Sequence, residues 1–149
     1  MDEQFPILIA EDSEDDAEIL QRALRKAGFN HPFHVSKDGA EVLMYLRGEE
    51  PYSDRQKFHF PRMIITDLKM PKMDGFQLLG WLQDHPHCNA IPRLVLSSSQ
   101  AEKDVIRAYQ LGVNSYLQKP ATFDELVEKM RLVFSYWKMC VKPPVPPKC

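Results

Sequence analysis

The sequence predicts an α/β protein: a doubly wound, five-stranded parallel sheet with helices on both faces. Three observations predict it. Five short apolar runs alternate with five segments whose apolar residues recur every three or four positions. The runs have strand length, and those at residues 5–10 and 63–66 are apolar along their length rather than alternating, as in strands buried on both faces of a parallel sheet. Turn and stop residues punctuate the alternation, which leaves βαβ crossovers as the economical connection.

The first run, Phe5 to Ala10, ends abruptly at acidic residues. From about Asp15 the period changes: Ala17, Leu20, Leu24 and Ala27 lie at helical spacing, and Gly28 stops the helix. Phe33 to Ser36 reads as a second strand, followed by the turn Lys37-Asp38-Gly39. Helical spacing returns at Ala40, Leu43 and Leu46 and stops at Gly48, and Glu49 to Pro61 is a polar stretch without a period. Met63 to Thr66 is a third strand ending at Asp67. Phe76, Leu78, Leu79 and Leu82 suit a helix that begins after Gly75 and ends near His85-Pro86. Arg93 to Leu96 is a fourth strand, running into Ser97-Ser98-Ser99. Val105, Ala108, Tyr109 and Leu111 give a fourth helix stopped by Gly112, and Ser115 to Gln118 a fifth strand leading to Lys119-Pro120. Thr122 and Glu125 form a capping box that opens a last helix reaching about Lys138. The domain is assigned to residues 5–141. Residues 142–149 form a proline-rich tail, which cannot continue a helix and is expected to be extended.

A chain of 149 residues suits one domain that buries roughly 70% of its unfolded surface. A net charge of −2 gives no reason to expect nucleic acid or a membrane as partner. No apolar run approaches the ~20 residues of a membrane span. The opening Met-Asp-Glu-Gln lacks the basic start of a signal peptide. Three cysteines without metal-ligand spacing (Cys88, Cys140, Cys149) are read as free thiols of a cytoplasmic protein.

In doubly wound folds ligands sit beyond the carboxyl ends of the strands. The residues just past the predicted strands are Glu11-Asp12, Asp67, Ser97 and Lys119-Pro120. Three carboxylates so placed repel one another unless a cation sits among them. Hard oxygen donors suit Mg²⁺, which prefers octahedral coordination at about 2.1 Å and keeps several waters. Asp67 is then a candidate nucleophile that forms an aspartyl phosphate. Mg²⁺ and Lys119 would neutralise the charge spreading over the phosphoryl oxygens, and Ser97 would donate a hydrogen bond to one of them. Singly, each residue has a plainer reading as a cap, a turn or a strand exit. The inference rests on their joint occurrence, each past a different strand.

With these residues in view, the sequence resembles a response-regulator receiver domain over about residues 5 to 138. The resemblance implies a CheY-like, flavodoxin-like fold with strand order 2-1-3-4-5. It implies that Glu11, Asp12, Asp67 and the backbone carbonyl of Lys69 hold Mg²⁺, and that Asp67 in Asp67-Leu68-Lys69-Met70-Pro71 is the phosphoacceptor. Asp74-Gly75 matches the turn after the acceptor loop. Ser97 and Tyr116 resemble the switch hydroxyl and switch aromatic, and Lys119 the phosphate-sensing lysine, followed by Pro120 across a cis peptide bond. The helix end Leu46-Arg47-Gly48 and the loop from Glu49 to Pro61 are similar to those of small receivers paired with phytochrome-type histidine kinases. The implied donor is therefore a phosphohistidine on such a kinase or on a phosphotransfer protein. The implied function is a phosphoacceptor switch in a two-component relay, not a turnover enzyme, acting through another chain. Glu11 stands where many relatives carry Asp, and Ser97 where Thr is commoner. Lys69 occupies the position where aspartyl-phosphate phosphatases place a second acid, which argues against turnover.

The remaining features have plainer readings. Glu14, Asp15 and Asp16 read as a solvated helix start. His85-Pro86-His87-Cys88 reads as a surface loop rather than a metal site. The proline tail reads as a disordered end, with a recognition motif as the alternative. In the last helix Phe123, Leu126, Val127, Met130, Val133, Phe134, Trp137 and Val141 form a broad apolar stripe. Two readings stand for it: core with a little exposed surface, or a surface for a downstream partner or a homodimer built with the fourth helix.

Overall fold

The computed structural model describes residues 2–145 and residue 149. Every residue of β1 (Ile7–Ala10) and β3 (Met63–Thr66) is buried, which demands cover on both faces and neighbours on both edges. β2 (Phe33–Ser36), β4 (Arg93–Ser97) and β5 (Ser115–Gln118) complete a fully parallel sheet of order β2-β1-β3-β4-β5. The register pairs Ile7 with both Phe33 and Met63, Thr66 with Val95, and Ser97 with Gln118. This is the order implied by the resemblance. β5 is the least buried strand, as an edge should be.

Alternation sends successive side chains of β1 to opposite faces. Ile7 and Ile9 pack with Leu20 and Leu24 of α1 (Glu14–Ala27) and Leu126 and Met130 of α5 (Phe123–Met139). Leu8 and Ala10 pack with Val42 and Leu46 of α2 (Gly39–Arg47) and Leu78 and Leu82 of α3 (Gly75–Asp84). A third cluster joins Leu79 and Val95 to Ala108 of α4 (Glu102–Gln110). Burying each large aliphatic contributes about 1.5–3 kcal/mol, so the two faces hold the sheet flat against its helices.

The helix ends follow the signals in the sequence, with one exchange. Gly28 and Gly48 take left-handed conformations (φ 114° and 69°) that close α1 and α2. At α5 the Thr122 hydroxyl accepts from the Glu125 N–H (3.2 Å), which is the threonine half of the expected box. The reciprocal box stands at α3 instead, between Asp74 and Gln77 (2.9 Å each way).

Three expectations are corrected. The cis peptide bond among the described residues is Glu50–Pro51, not Lys119–Pro120. The thiols are not all free: Cys88, wholly buried, is joined to Cys149 with Cα atoms 5.5 Å apart, while Cys140 stays free. The tail folds back rather than running free, which brings Cys149 to a partner 61 residues away. The Arg62 guanidinium donates to Pro143 O (2.7 Å), and Val145 and Cys149 pack on the α2–α3 side of the core. Residues 146–148, also part of the expected extended tail, lie outside the described residues.

The polar loop is anchored too. One Arg55 nitrogen donates to Tyr45 O (2.6 Å) and Leu46 O (2.8 Å) at the end of α2, and the buried Tyr45 donates its hydroxyl to His59 O (2.7 Å). His34 on β2 lies against Tyr45 and Tyr52, with ring centroids 4.6 and 5.2 Å away. Among the described residues, no helix is long and apolar enough to cross a membrane.

Burial holds the His34 imidazole below its ordinary 6.5, against the opposing pull of Glu41. The unfolded chain therefore takes up this proton first as the pH falls, which favours unfolding. His34's contribution is fully present above pH 6.5 and lost as acidity increases below it. Urea unfolding on both sides of that value should show the slope, and His34→Phe should flatten it.

Candidate functional site: a shared ammonium at the strand ends

The sheet ladder continues one residue past three strands. Glu11 N–H donates to Ser36 O (2.9 Å), Asp67 N–H to Ala10 O (3.0 Å), and Lys119 N–H to Ser97 O (2.8 Å). Because all strands run parallel, these three backbones are fixed on the same edge of the sheet. The side chains meet there. The Lys119 ammonium donates to Glu11 Oε1 (2.5 Å), Asp67 Oδ2 (2.8 Å) and Asp16 Oδ2 (3.1 Å). Its three N–H bonds thus have three carboxylate acceptors, each a charge-assisted bond.

The acceptors differ in exposure: 7% for the Glu11 side chain, 13% for Asp67 and 48% for Asp16. Glu11, which is buried, and Asp67, which is partly buried, are also held from behind. Glu11 Oε2 accepts from Ser13 N–H (3.3 Å), and Asp67 Oδ1 from Leu68 N–H (2.6 Å). Burial lifts the Glu11 carboxyl above the ordinary glutamate value, and the Asp67 charge adds to this, against the pull of Lys119. For Lys119, burial alone would favour the neutral amine. Hydrogen bonds to Asp67 and Glu11 outweigh that and hold the group well above the ordinary lysine value.

The acceptor loop is clamped from below. Gly75 N–H donates to Leu68 O (2.9 Å), and a Cβ at Gly75 would lie 2.2 Å from Asp67 O and 2.8 Å from Leu68 Cα. Only glycine permits that approach. Thr66 donates its hydroxyl to Asp67 O (2.7 Å), so the carbonyl is fixed as well.

Among the described residues, no three His, Cys, Asp or Glu side chains form a ready-made metal cage. The cation joining Glu11 to Asp67 is the Lys119 ammonium. Asp12 and Lys69 sit beside these residues on the chain, both exposed. The donor chemistry nevertheless fits Mg²⁺, an ion usually held by one or two carboxylates, waters and a phosphate rather than by a full protein cage.

Ser97, 2% exposed, accepts on its hydroxyl from Ser99 N–H (3.1 Å). Tyr116 packs its ring against the cluster of Leu68, Leu79 and Val95, and donates its hydroxyl to Ser99 O (2.9 Å). Ser97 and Tyr116 therefore grip the two ends of one residue. Ser99 in turn donates to Asp104 Oδ2 (2.6 Å) on α4. Neither Ser99 nor Asp16 stood out in the sequence. Asp16 reads there as one of several solvated acids, but it points to the sheet edge and completes the shell of Lys119.

The model of the response regulator receiver domain matches residues 7–131. The probable methanogenesis regulatory protein FilR2 of Methanothrix harundinacea is 35% identical, over 91% of this chain and 85% of its own. The response regulator Rcp1 of Synechocystis sp. is 32% identical, over 88% of this chain and 87% of its own. Rcp1 has also been solved in a Mn²⁺-bound form, similar to this structure at a TM-score of 0.82. The phosphorylated cyanobacterial phytochrome response regulator RcpA superposes with a TM-score of 0.85 at 31% identity, over 95% of this chain and 99% of its own.

A Gly75→Ala substitution should push the acceptor loop off its helix. Its urea midpoint should fall by the equivalent of about 1–3 kcal/mol with the m-value unchanged.

Proposed function

We propose that this chain, which belongs to the response regulator receiver domain family of two-component signalling, accepts its phosphoryl group on Asp67. The observation that supports this best is the Lys119 ammonium bonded at once to Asp67 and Glu11 at the carboxyl edge of the sheet. The donor is a phosphohistidine of a sensor kinase or phosphotransfer protein. Similarity to the phytochrome response regulator RcpA favours a phytochrome-type kinase.

An Asp67 carboxylate oxygen attacks phosphorus. The P–O bond forms as the P–N bond breaks, and the imidazole leaves with its electron pair. Glu11, Asp12, Asp67 and the Lys69 carbonyl would hold Mg²⁺, which supplies charge neutralisation at the phosphoryl oxygens. Lys119, now bonded to Asp67 (2.8 Å), moves its hydrogen bond to a phosphoryl oxygen. A cleft of about 410 Å³ opens beside Lys119, lined by Ile19, Phe123 and Leu126 as well as Glu11 and Asp16. The chain is a switch, assisting its own phosphoryl transfer and hydrolysis, rather than a turnover enzyme.

When the Ser97 hydroxyl turns to the phosphoryl group it donates to an oxygen there and lets go of Ser99 N–H. Ser99 also carries Tyr116 and Asp104, so the change reaches β5 and α4. The face read as a partner surface needs a new membership. Trp137, one of the residues of the expected stripe, is core: 7% exposed and packed near Phe29 and His31. Besides Phe123 at its start, the exposed large apolar residues of α5 are Leu132, Tyr136 and Met139, one face at i, i+4 and i+7. With Ile106 and Tyr109 of α4 they form the surface offered to a downstream protein or a second copy.

Mg²⁺ with a small acyl phosphate or beryllofluoride should shift the amide spectrum of the wild type and leave Asp67→Asn unmoved; equal responses in both would falsify the assignment. Sedimentation under the same conditions should report association that Leu132→Glu with Tyr136→Glu abolishes. Trp137→Ala should instead lose stability, by about 3–5 kcal/mol.

A further inference from the structure

Lys119 holds one more carboxylate than phosphoryl acceptance on Asp67 requires. The third, Asp16, comes from the first turn of α1. The helix is capped by Ser13, whose hydroxyl accepts from the Asp16 N–H (3.2 Å), and the Asp16 carboxylate is left to reach across to Lys119 (3.1 Å).

We propose that Asp16 is a positioning residue for phosphorylation: it holds the Lys119 ammonium at the outer side of the cluster, so that Glu11 and Asp67 can be given over to a divalent cation. This rests on the reading of Asp67 as phosphoacceptor. Glu11 and Asp67 each keep one oxygen on a backbone N–H and offer the other to Lys119. A divalent cation needs those same two oxygens. An ammonium 2.5 and 2.8 Å from them competes for their lone pairs and repels the incoming ion. Both cations fit in one cluster only if the ammonium has an acceptor that the ion does not share. Asp16 is that acceptor. It is already bonded, it is the most solvated of the three at 48% exposure, and it belongs to a different element from Glu11 or Asp67. Lys119 can slide toward it without breaking its last ionic contact. From there the ammonium stays within reach of a phosphoryl group on Asp67.

A plain rival exists: any carboxylate near a cation site raises cation affinity through bulk charge. A double-mutant cycle on the intact chain separates the two, with the Mg²⁺ dissociation constant read by calorimetry at fixed ionic strength. Asp16→Asn should weaken Mg²⁺ binding about threefold to tenfold, Asp16→Glu should restore most of it, and in a Lys119→Ala background Asp16→Asn should have no further effect. The same weakening in both backgrounds, or none with Lys119 present, overturns the proposal. The beryllofluoride response of the wild type is recorded alongside. A wild type that takes up neither Mg²⁺ nor beryllofluoride overturns the reading of Asp67 and this proposal with it. A wild type that takes up both, with Mg²⁺ affinity indifferent to Asp16, overturns this proposal alone.

Discussion

The ammonium of Lys119 is the interaction on which the site depends. Glu11 and Asp67 follow the ends of β1 and β3, Asp16 lies in the first turn of α1, and nothing but a cation reconciles their charges at this distance. The backbone does the placing and the ammonium does the neutralising. Each of Glu11, Asp67 and Lys119 is the first residue after its strand, and each still donates its N–H to the neighbouring strand. A slip of one residue in any of these pairings would turn the side chain to the opposite face. The buried strands β1 and β3 resist such a slip, because moving it would exchange residues between the two helical layers.

The second dependence runs from the site to the surface. Ser97 and Tyr116 are linked through the peptide groups of Ser99, one bonding its N–H and the other its carbonyl. A hydroxyl that turns toward Asp67 thus alters what holds the loop entering α4. The loop has a second tie through Asp104, and Tyr116 has a second support in Tyr109, whose hydroxyl accepts its N–H (3.1 Å). These bonds form one small network that joins β4, β5 and α4 through Ser99.

The fold was legible because its signals are local. β2, β3 and β5 fall on the residues expected, and the apolar runs and helix stops need no distant information. Glu11, Asp67 and Lys119 were legible for a related reason: their positions follow from strand ends, and strand ends follow from hydrophobicity. What escaped depends on rotation and distance. Asp16 could not be told from Asp15 without knowing which side of α1 faces the sheet edge. Trp137 and Tyr136 are adjacent on an apolar helix, and only the packing of Phe29 and Phe134 decides which is core. Cys88 finds Cys149 because the tail turns back under the α2–α3 layer, and no spacing rule contains that path. The capping box was placed at Thr122 by its residue pattern, but the reciprocal bonds form at Asp74, where glutamine supplies the returning oxygen.

The loop after α2 carries a different implication. Its grip on the fold passes largely through Arg55, which closes the last carbonyls of α2 from outside, and through the rings around Tyr45. None of its backbone takes part in a strand, and it lies at the far side of α2 from the acidic edge. Its hold is aromatic as much as ionic: Phe60 is buried in the core, and Tyr52 and Phe58 pack against it. Exchanging the whole segment would uncover the apolar surface of the α2–α3 layer. A reporter or an epitope is therefore better inserted at the exposed Gln56 and Lys57 than grafted in place of the loop.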